Sequence, residues 1–223
     1  MAVEILEKLK RAIKEYDSQG AASLAREIIQ QKVEPMKALE AMMEVIKQVG
    51  DAFSKGELWL PDLVGAADAM TSAMPIIEEE IRKVGAKRKV LGNVVIGTVC
   101  GDIHSIGKSM VATLLTANGF AVIDLGINVS TESFIKAVGK YKPDILAMSA
   151  LLTTTAIEQK KVIEALEKKG LRDKVKVMVG GGAVTQEFAD SIGADGYSPT
   201  APRAAELARS LVVVKENRDV EGV

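Results

Sequence analysis

Gly101-Asp102-Ile103-His104-Ser105-Ile106-Gly107-Lys108 follows an apolar run, Val94 to Val99, and opens an amphipathic segment from Ser109 to Asn118. A β-branched run, a loop with glycine near each end and a helical pattern, in that order, is how a parallel α/β domain begins. The order puts the chain's one histidine, His104, at the carboxyl end of the first strand, where open α/β sheets bind ligands. Asp102 stands two residues earlier, close enough in an extended loop to reach the imidazole. A carboxylate accepting from one ring nitrogen fixes the tautomer and leaves the other nitrogen for a metal. A lone loop histidine is commonly just solvated; the D-x-H-x-x-G spacing at a strand end is what argues for a role. Gly107 removes a side chain at the helix start, where a large planar group can approach the backbone. One protein ligand does not hold a zinc ion, which takes three or four. A metal bound through His104 alone brings its other ligands with it, as a macrocycle does.

Downstream, apolar segments at about 90–99, 121–126, 144–150, 175–179 and 194–197 are predicted strands. The stretches near 107–118, 131–140, 154–169 and 185–192, with a last one at about 202–216, are predicted helices. Regular alternation predicts a Rossmann-like, flavodoxin-like doubly wound five-stranded parallel sheet. Two more loops leave the same sheet end as His104. Ser149-Ala150-Leu151-Leu152-Thr153-Thr154-Thr155 carries four hydroxyls, of which Thr153 or Thr154 is the expected helix N-cap. Val179-Gly180-Gly181-Gly182-Ala183 has three consecutive glycines, which weaken a strand and imply a positive φ, a close approach to the backbone, or both. Gly196-Tyr197-Ser198-Pro199-Thr200 forms the fifth turn.

Upstream, residues 1–88 have helical periodicity throughout. Leu6, Leu9, Ile13 and Tyr16 share one face, as do Leu24, Ile28 and Ile29. Pro35 opens a third helix with Leu39, Met42, Met43, Ile46 and Val49 on its apolar side, and a fourth runs from about Pro61 to Val84. Four helices with short connections predict a bundle. Gly56-Glu57-Leu58-Trp59-Leu60-Pro61 holds the one tryptophan at the mouth of the last helix. Packing into the bundle core is the plainer expectation for any one of these residues, and for Met70 and Met74 as well. The basic stretch Arg82 to Lys89 is expected to be a solvated linker between a domain of residues 1–88 and one of residues 89–223.

Composition limits the alternatives. With 29 basic and 30 acidic residues among 223, the chain has no general attraction for nucleic acid or anionic membrane. Its amino terminus mixes charges with apolar residues and is expected to be neither a signal peptide nor a membrane span. The single cysteine, Cys100, excludes an intrachain disulfide and suits a cytoplasmic location; it is expected to be a small buried strand residue.

Asp102-Ile103-His104-Ser105-Ile106-Gly107 is similar to the D-x-H-x-x-G signature of cobalamin-binding domains. Ser149 to Thr155 resembles their S-x-L motif, and Gly180-Gly181-Gly182-Ala183 resembles their glycine-rich turn. The resemblance extends into the first ninety residues and matches the small two-domain corrinoid proteins cognate to methyltransferases of methanol, methylamines, betaines and aryl methyl ethers. It implies cobalamin or a related corrinoid bound base-off/His-on, with His104 as the lower axial ligand of cobalt. Asp102, Ile103, Ser105, Ile106 and Gly107 would surround that ligand, with Thr155 extending a histidine–aspartate–hydroxyl relay. Ser149, Leu151, Thr153, Gly180, Gly181, Gly182, Ala183, Tyr197 and Ser198 would line the nucleotide-tail slot. Trp59, Leu60 and Met70 would cap the upper corrin face from the helical domain.

The implied function is a methyl carrier with no turnover of its own. A substrate:corrinoid methyltransferase would load it, a methylcorrinoid:tetrahydrofolate or coenzyme M methyltransferase would unload it, and a reductive activase would restore it. A mutase subunit would need a barrel, and a cobalamin photoreceptor would need a DNA-binding domain. A cobalamin-binding sensor module and a cofactor-free flavodoxin-like domain are the alternatives.

Overall fold

The computed structural model describes residues 2–86, 88–212 and 218–220. Two compact units emerge, one built chiefly from the first 89 residues and the other chiefly from residues 90–218.

The first unit is a bundle of α1 (Ala2–Lys14), α2 (Ser18–Gln30), α3 (Pro35–Ser54) and α4 (Leu60–Lys83). Helix α4 packs on α2 and α3, and α1 packs on the same two. Leu9, Ile13, Ile28, Leu39, Met42, Ile46, Leu63, Met70 and Ile77 are fully buried, with Ala21, Ala25, Ala38, Ala66 and Ala73 between them. Alanine at so many buried positions lets helix axes approach closely. The helical spacing misplaces Tyr16, which is exposed. It lies beyond the end of α1 at φ 63, left-handed backbone that turns its side chain off the α1 stripe. Leu6, Leu24 and Ile29 are half-buried, because the inward faces of α1 and α2 centre on Ile5, Leu9 and Ala12 and on Ala21, Ala25 and Ile28.

The second unit alternates β1 (Asn93–Thr98), α5 (Ile106–Ala117), β2 (Ala121–Asp124), α6 (Thr131–Tyr141), β3 (Ile145–Ser149), α7 (Thr153–Lys168), β4 (Lys176–Gly180), α8 (Gln186–Ser191), β5 (Gly196–Tyr197) and α9 (Ala201–Leu211). All five strands are parallel in the order β2-β1-β3-β4-β5, the doubly wound flavodoxin-like arrangement. The core includes Val95, Val99, Phe134, Leu146, Met148, Ile163, Leu166, Val177 and Val179. Gly97 admits the Phe134 ring against β1, since a Cβ there would lie 2.9 Å from its ring carbons. The apolar run at 90–99 is not one strand. It breaks at Leu91-Gly92, and Arg88–Val90 pairs instead with Arg218–Val220 in a separate two-stranded sheet. The last helix ends at Leu211; residues 213–216 of its predicted span and Lys87 of the predicted linker lie outside the described residues.

Register decides where the site lies. Thr98 of β1 pairs with Ser149 of β3, and Ser149 pairs with Gly180 of β4. The histidine loop, the serine-leucine loop and the glycine turn therefore leave the sheet at one level, on either side of β3.

Candidate functional site

Asp102 is the hub of this sheet edge. It is 1% exposed, and each carboxylate oxygen takes two hydrogen bonds. Oδ1 accepts the His104 backbone N–H at 3.0 Å and faces the ring Nδ1 at 2.8 Å. Oδ2 accepts the Leu151 N–H and the Thr155 hydroxyl, each at 2.7 Å. Burial pushes the carboxyl up, yet the donors from His104, Thr155 and Leu151 prevail and hold it well below the usual carboxylate range. An ionised carboxylate only accepts, so Nδ1 carries the proton and Nε2 is the basic nitrogen. The His104 side chain is 48% exposed, which makes that nitrogen accessible to a ligand.

Residues that the sequence motifs did not single out hold the loop. Thr98, fully buried, donates its hydroxyl to the His104 carbonyl at 3.0 Å. Asn128, at φ 51 after β2, accepts the Gly101 N–H on its side chain at 2.8 Å and donates its own N–H to the Asp102 carbonyl at 3.0 Å. Lys108, buried in the first turn of α5, pairs with Asp124 at the end of β2. The one signal in the sequence was Asn128, since asparagine tolerates the left-handed region.

Ser105 is half-buried at the start of α5, while Ile103, Ile106, Leu151 and Leu152 are exposed around His104. A Cβ at Gly107 would meet nothing within 4 Å, so no atom of the described residues requires that glycine. Gly181 is different: it has φ +118, and a Cβ would lie 2.0 Å from the Ala150 carbonyl oxygen. The close approach inferred from three glycines is thus made at Gly181 by the neighbouring loop of the chain itself. Leu151 crowds Gly182, Gly180 ends β4 and Ala183 is half-buried. Ser149 is half-buried at the end of β3. Tyr197 is packed against the core, and Ser198 donates its hydroxyl to the Thr200 carbonyl at 2.9 Å.

Three expectations fail. Thr153 and Thr154 do not cap α7: the N-cap residue is Leu152, whose N–H reaches the Thr155 hydroxyl oxygen at 3.3 Å. Cys100 is exposed, because β1 ends at Thr98 and Cys100 stands in the turn beyond it. Trp59 does not pack into the bundle: it is the N-cap residue of α4 and 76% exposed, with Leu60 exposed beside it. Met70 is 1% exposed in the bundle core, and Met74 is half-buried. Among the described residues, no three His, Cys, Asp or Glu side chains cluster as a metal set, and no helix is long and apolar enough to cross a membrane.

Two B12-binding domain models match the chain, over residues 92–206 and 5–78. The trimethylamine corrinoid protein 1 of Methanosarcina acetivorans is 42% identical, with 94% of this chain and 98% of that one covered. The chain belongs to the B12-binding corrinoid proteins. A corrinoid protein of Desulfitobacterium hafniense is 41% identical, over 95% of this chain and 99% of its own. Among solved structures, the methanol:cobalamin methyltransferase complex of Methanosarcina barkeri matches with a TM-score of 0.77 and 33% identity, covering 94% of this chain and 80% of that one. A corrinoid protein of this family binds a cobalamin-type cofactor and is a carrier subunit of a methyltransferase system, not an enzyme by itself.

Proposed function

We propose that this protein holds a corrinoid base-off/His-on through Nε2 of His104 and carries a methyl group between two methyltransferases. One loads it from a small methylated substrate, and the other unloads it onto tetrahydrofolate or coenzyme M. The observation that carries this reading is the Asp102–His104 geometry, 2.8 Å at Nδ1 with the ring half exposed. The residues fit the group: one basic nitrogen, exposed apolar side chains around it and open space over Gly107 suit a broad macrocycle face. The bound cobalt would supply a centre that accepts and releases a methyl group.

The chain's own residues then have separable tasks. Asp102 holds the proton at Nδ1 and Thr155 orients Asp102, so a change in the bond at Nε2 is answered by the charge beside Nδ1. Ile103, Ser105, Ile106 and Gly107 border the corrin; Ser149, Leu151, Thr153, Gly180, Gly181, Gly182, Ala183, Tyr197 and Ser198 line the slot for the nucleotide tail. Trp59 and Leu60, exposed at the start of α4, would shield the corrinoid from water, whereas Met70 is buried in the bundle core and would not reach it. Residues 1–88 and 89–223 are the two functional domains, acting in the cytoplasm with a reductive activase as third partner. The relatives' names include trimethylamine, which supports a methylamine as the methyl donor.

Reconstitution with hydroxocobalamin tests the axial ligand. Wild type is expected to bind one equivalent, and His104→Ala to lose affinity or show an altered visible spectrum after reduction. Equal affinity and identical spectra for the two proteins would overturn the assignment.

A further inference from the structure

Three unfavourable features converge at one corner of the helical bundle. Tyr16 adopts a left-handed backbone at φ 63, where glycine or asparagine would serve the turn without the strain, on the order of 1 kcal/mol, that other residues suffer. Gly65 sits inside α4, where glycine costs about 1 kcal/mol relative to alanine. Trp59 is 76% exposed, forgoing the burial that tryptophan ordinarily finds.

The contacts tie these features together. A Cβ at Gly65 would lie 2.8 Å from Cγ of Tyr16, so glycine is what admits the Tyr16 ring against α4. The Tyr16 hydroxyl donates to Asp62 Oδ1 at 2.9 Å. The other oxygen of that carboxylate accepts the Trp59 N–H at 2.7 Å, and the Trp59 carbonyl accepts the Asp62 N–H at 3.1 Å. Asp17, next to Tyr16, donates its N–H back to Ala12 and caps α2 through the Gly20 N–H, which fixes the turn that aims the tyrosine.

We propose that Tyr16 is a positioning residue for Trp59, its hydroxyl holding the Asp62 carboxylate that in turn fixes the main chain from which the indole projects. This rests on the reading that Trp59 shields the corrinoid. A staple between α1 and α4 alone would need only the tyrosine ring. A hydroxyl aimed at the carboxylate that holds Trp59 goes further: it removes the main-chain contribution to the motion of the indole, which as an exposed side chain also samples rotamers on the picosecond to nanosecond timescale.

The test uses Tyr16→Phe, which keeps the ring on Gly65 and removes only the hydroxyl. Trp59 is the chain's one tryptophan, so its time-resolved fluorescence anisotropy is uncontaminated. In the protein without corrinoid, the amplitude of nanosecond depolarisation is expected to increase in Tyr16→Phe, with the melting temperature little changed. The double variant Tyr16→Phe/Asp62→Asn is expected to be no more mobile than Asp62→Asn, as for two residues acting in series. Unchanged anisotropy in Tyr16→Phe, or an additive double variant, overturns the proposal. Wild-type fluorescence before and after loading with hydroxocobalamin tests the shielding separately: without quenching, Trp59 does not lie on the corrinoid, whatever Tyr16 does to its mobility.

Discussion

Thr155 Oγ1 lies 2.7 Å from Asp102 Oδ2 and joins the first turn of α7 to the histidine loop across 53 residues of sequence. The same Oδ2 accepts the Leu151 N–H at 2.7 Å. One carboxylate thus fastens two loops that leave neighbouring strands, which is why the imidazole is oriented before any ligand arrives. Register makes this possible, because Thr98 and Ser149 are paired at the ends of those strands.

Replacing Thr155 separates its hydroxyl from its shape. Thr155→Val removes a buried donor to a charge, a loss of about 1–3 kcal/mol, and Thr155→Ser keeps the donor. Corrinoid affinity of the valine variant is expected to fall about 10-fold or more, as when a partner that orients a metal-ligating histidine is lost, with the serine variant near wild type. Urea unfolding and equilibrium titration with hydroxocobalamin check both; equal affinity in all three proteins would sever Thr155 from the histidine.

Gly107 and Gly181 are expected to respond in opposite ways to alanine. Gly107 lies within α5 with open space around it, so Gly107→Ala should leave the corrinoid-free protein as stable or up to about 1 kcal/mol more stable. It should also weaken corrinoid binding, because the new methyl occupies the surface the macrocycle covers. Gly181→Ala meets the Ala150 carbonyl at φ +118 and should unfold the sheet edge without any ligand being involved. Thermal melts and titrations of the two variants give the comparison. A Gly107→Ala protein that binds hydroxocobalamin as tightly as wild type would remove the corrin from that surface.

Asp102 and His104 were legible in the sequence because both lie in one short loop, where two-residue spacing alone brings the side chains together. The five-stranded sheet was legible because apolar runs alternate with helical periods. Thr98 was not, since its work is set by register; Asn128 was marked only as a residue that tolerates a left-handed turn, and which groups it holds is set by the turn after β2. Cys100 and Trp59 misled for one reason: residue type argues burial on average, whereas exposure at these positions follows from where β1 stops and where α4 starts. The strand at 90–99 was overextended because hydropathy alone cannot mark the break at Leu91-Gly92.

The depressed acidity of Asp102 gives a pH dependence of defined sign. In the unfolded chain an aspartate titrates near about 3.9, whereas in the folded protein this carboxyl is held well below its usual range. The unfolded state therefore binds more protons in acid, and stability rises with pH through that window. The contribution is complete above the unfolded value and drains away as pH falls through it toward the folded one. The gap in unfolding free energy between wild type and Asp102→Asn should narrow as pH falls below about pH 4. Urea unfolding of the corrinoid-free proteins at a series of pH values measures it. A gap that does not narrow between about pH 4 and the most acidic pH at which wild type remains folded would mean that the loop holds the carboxyl group by shape and not by charge.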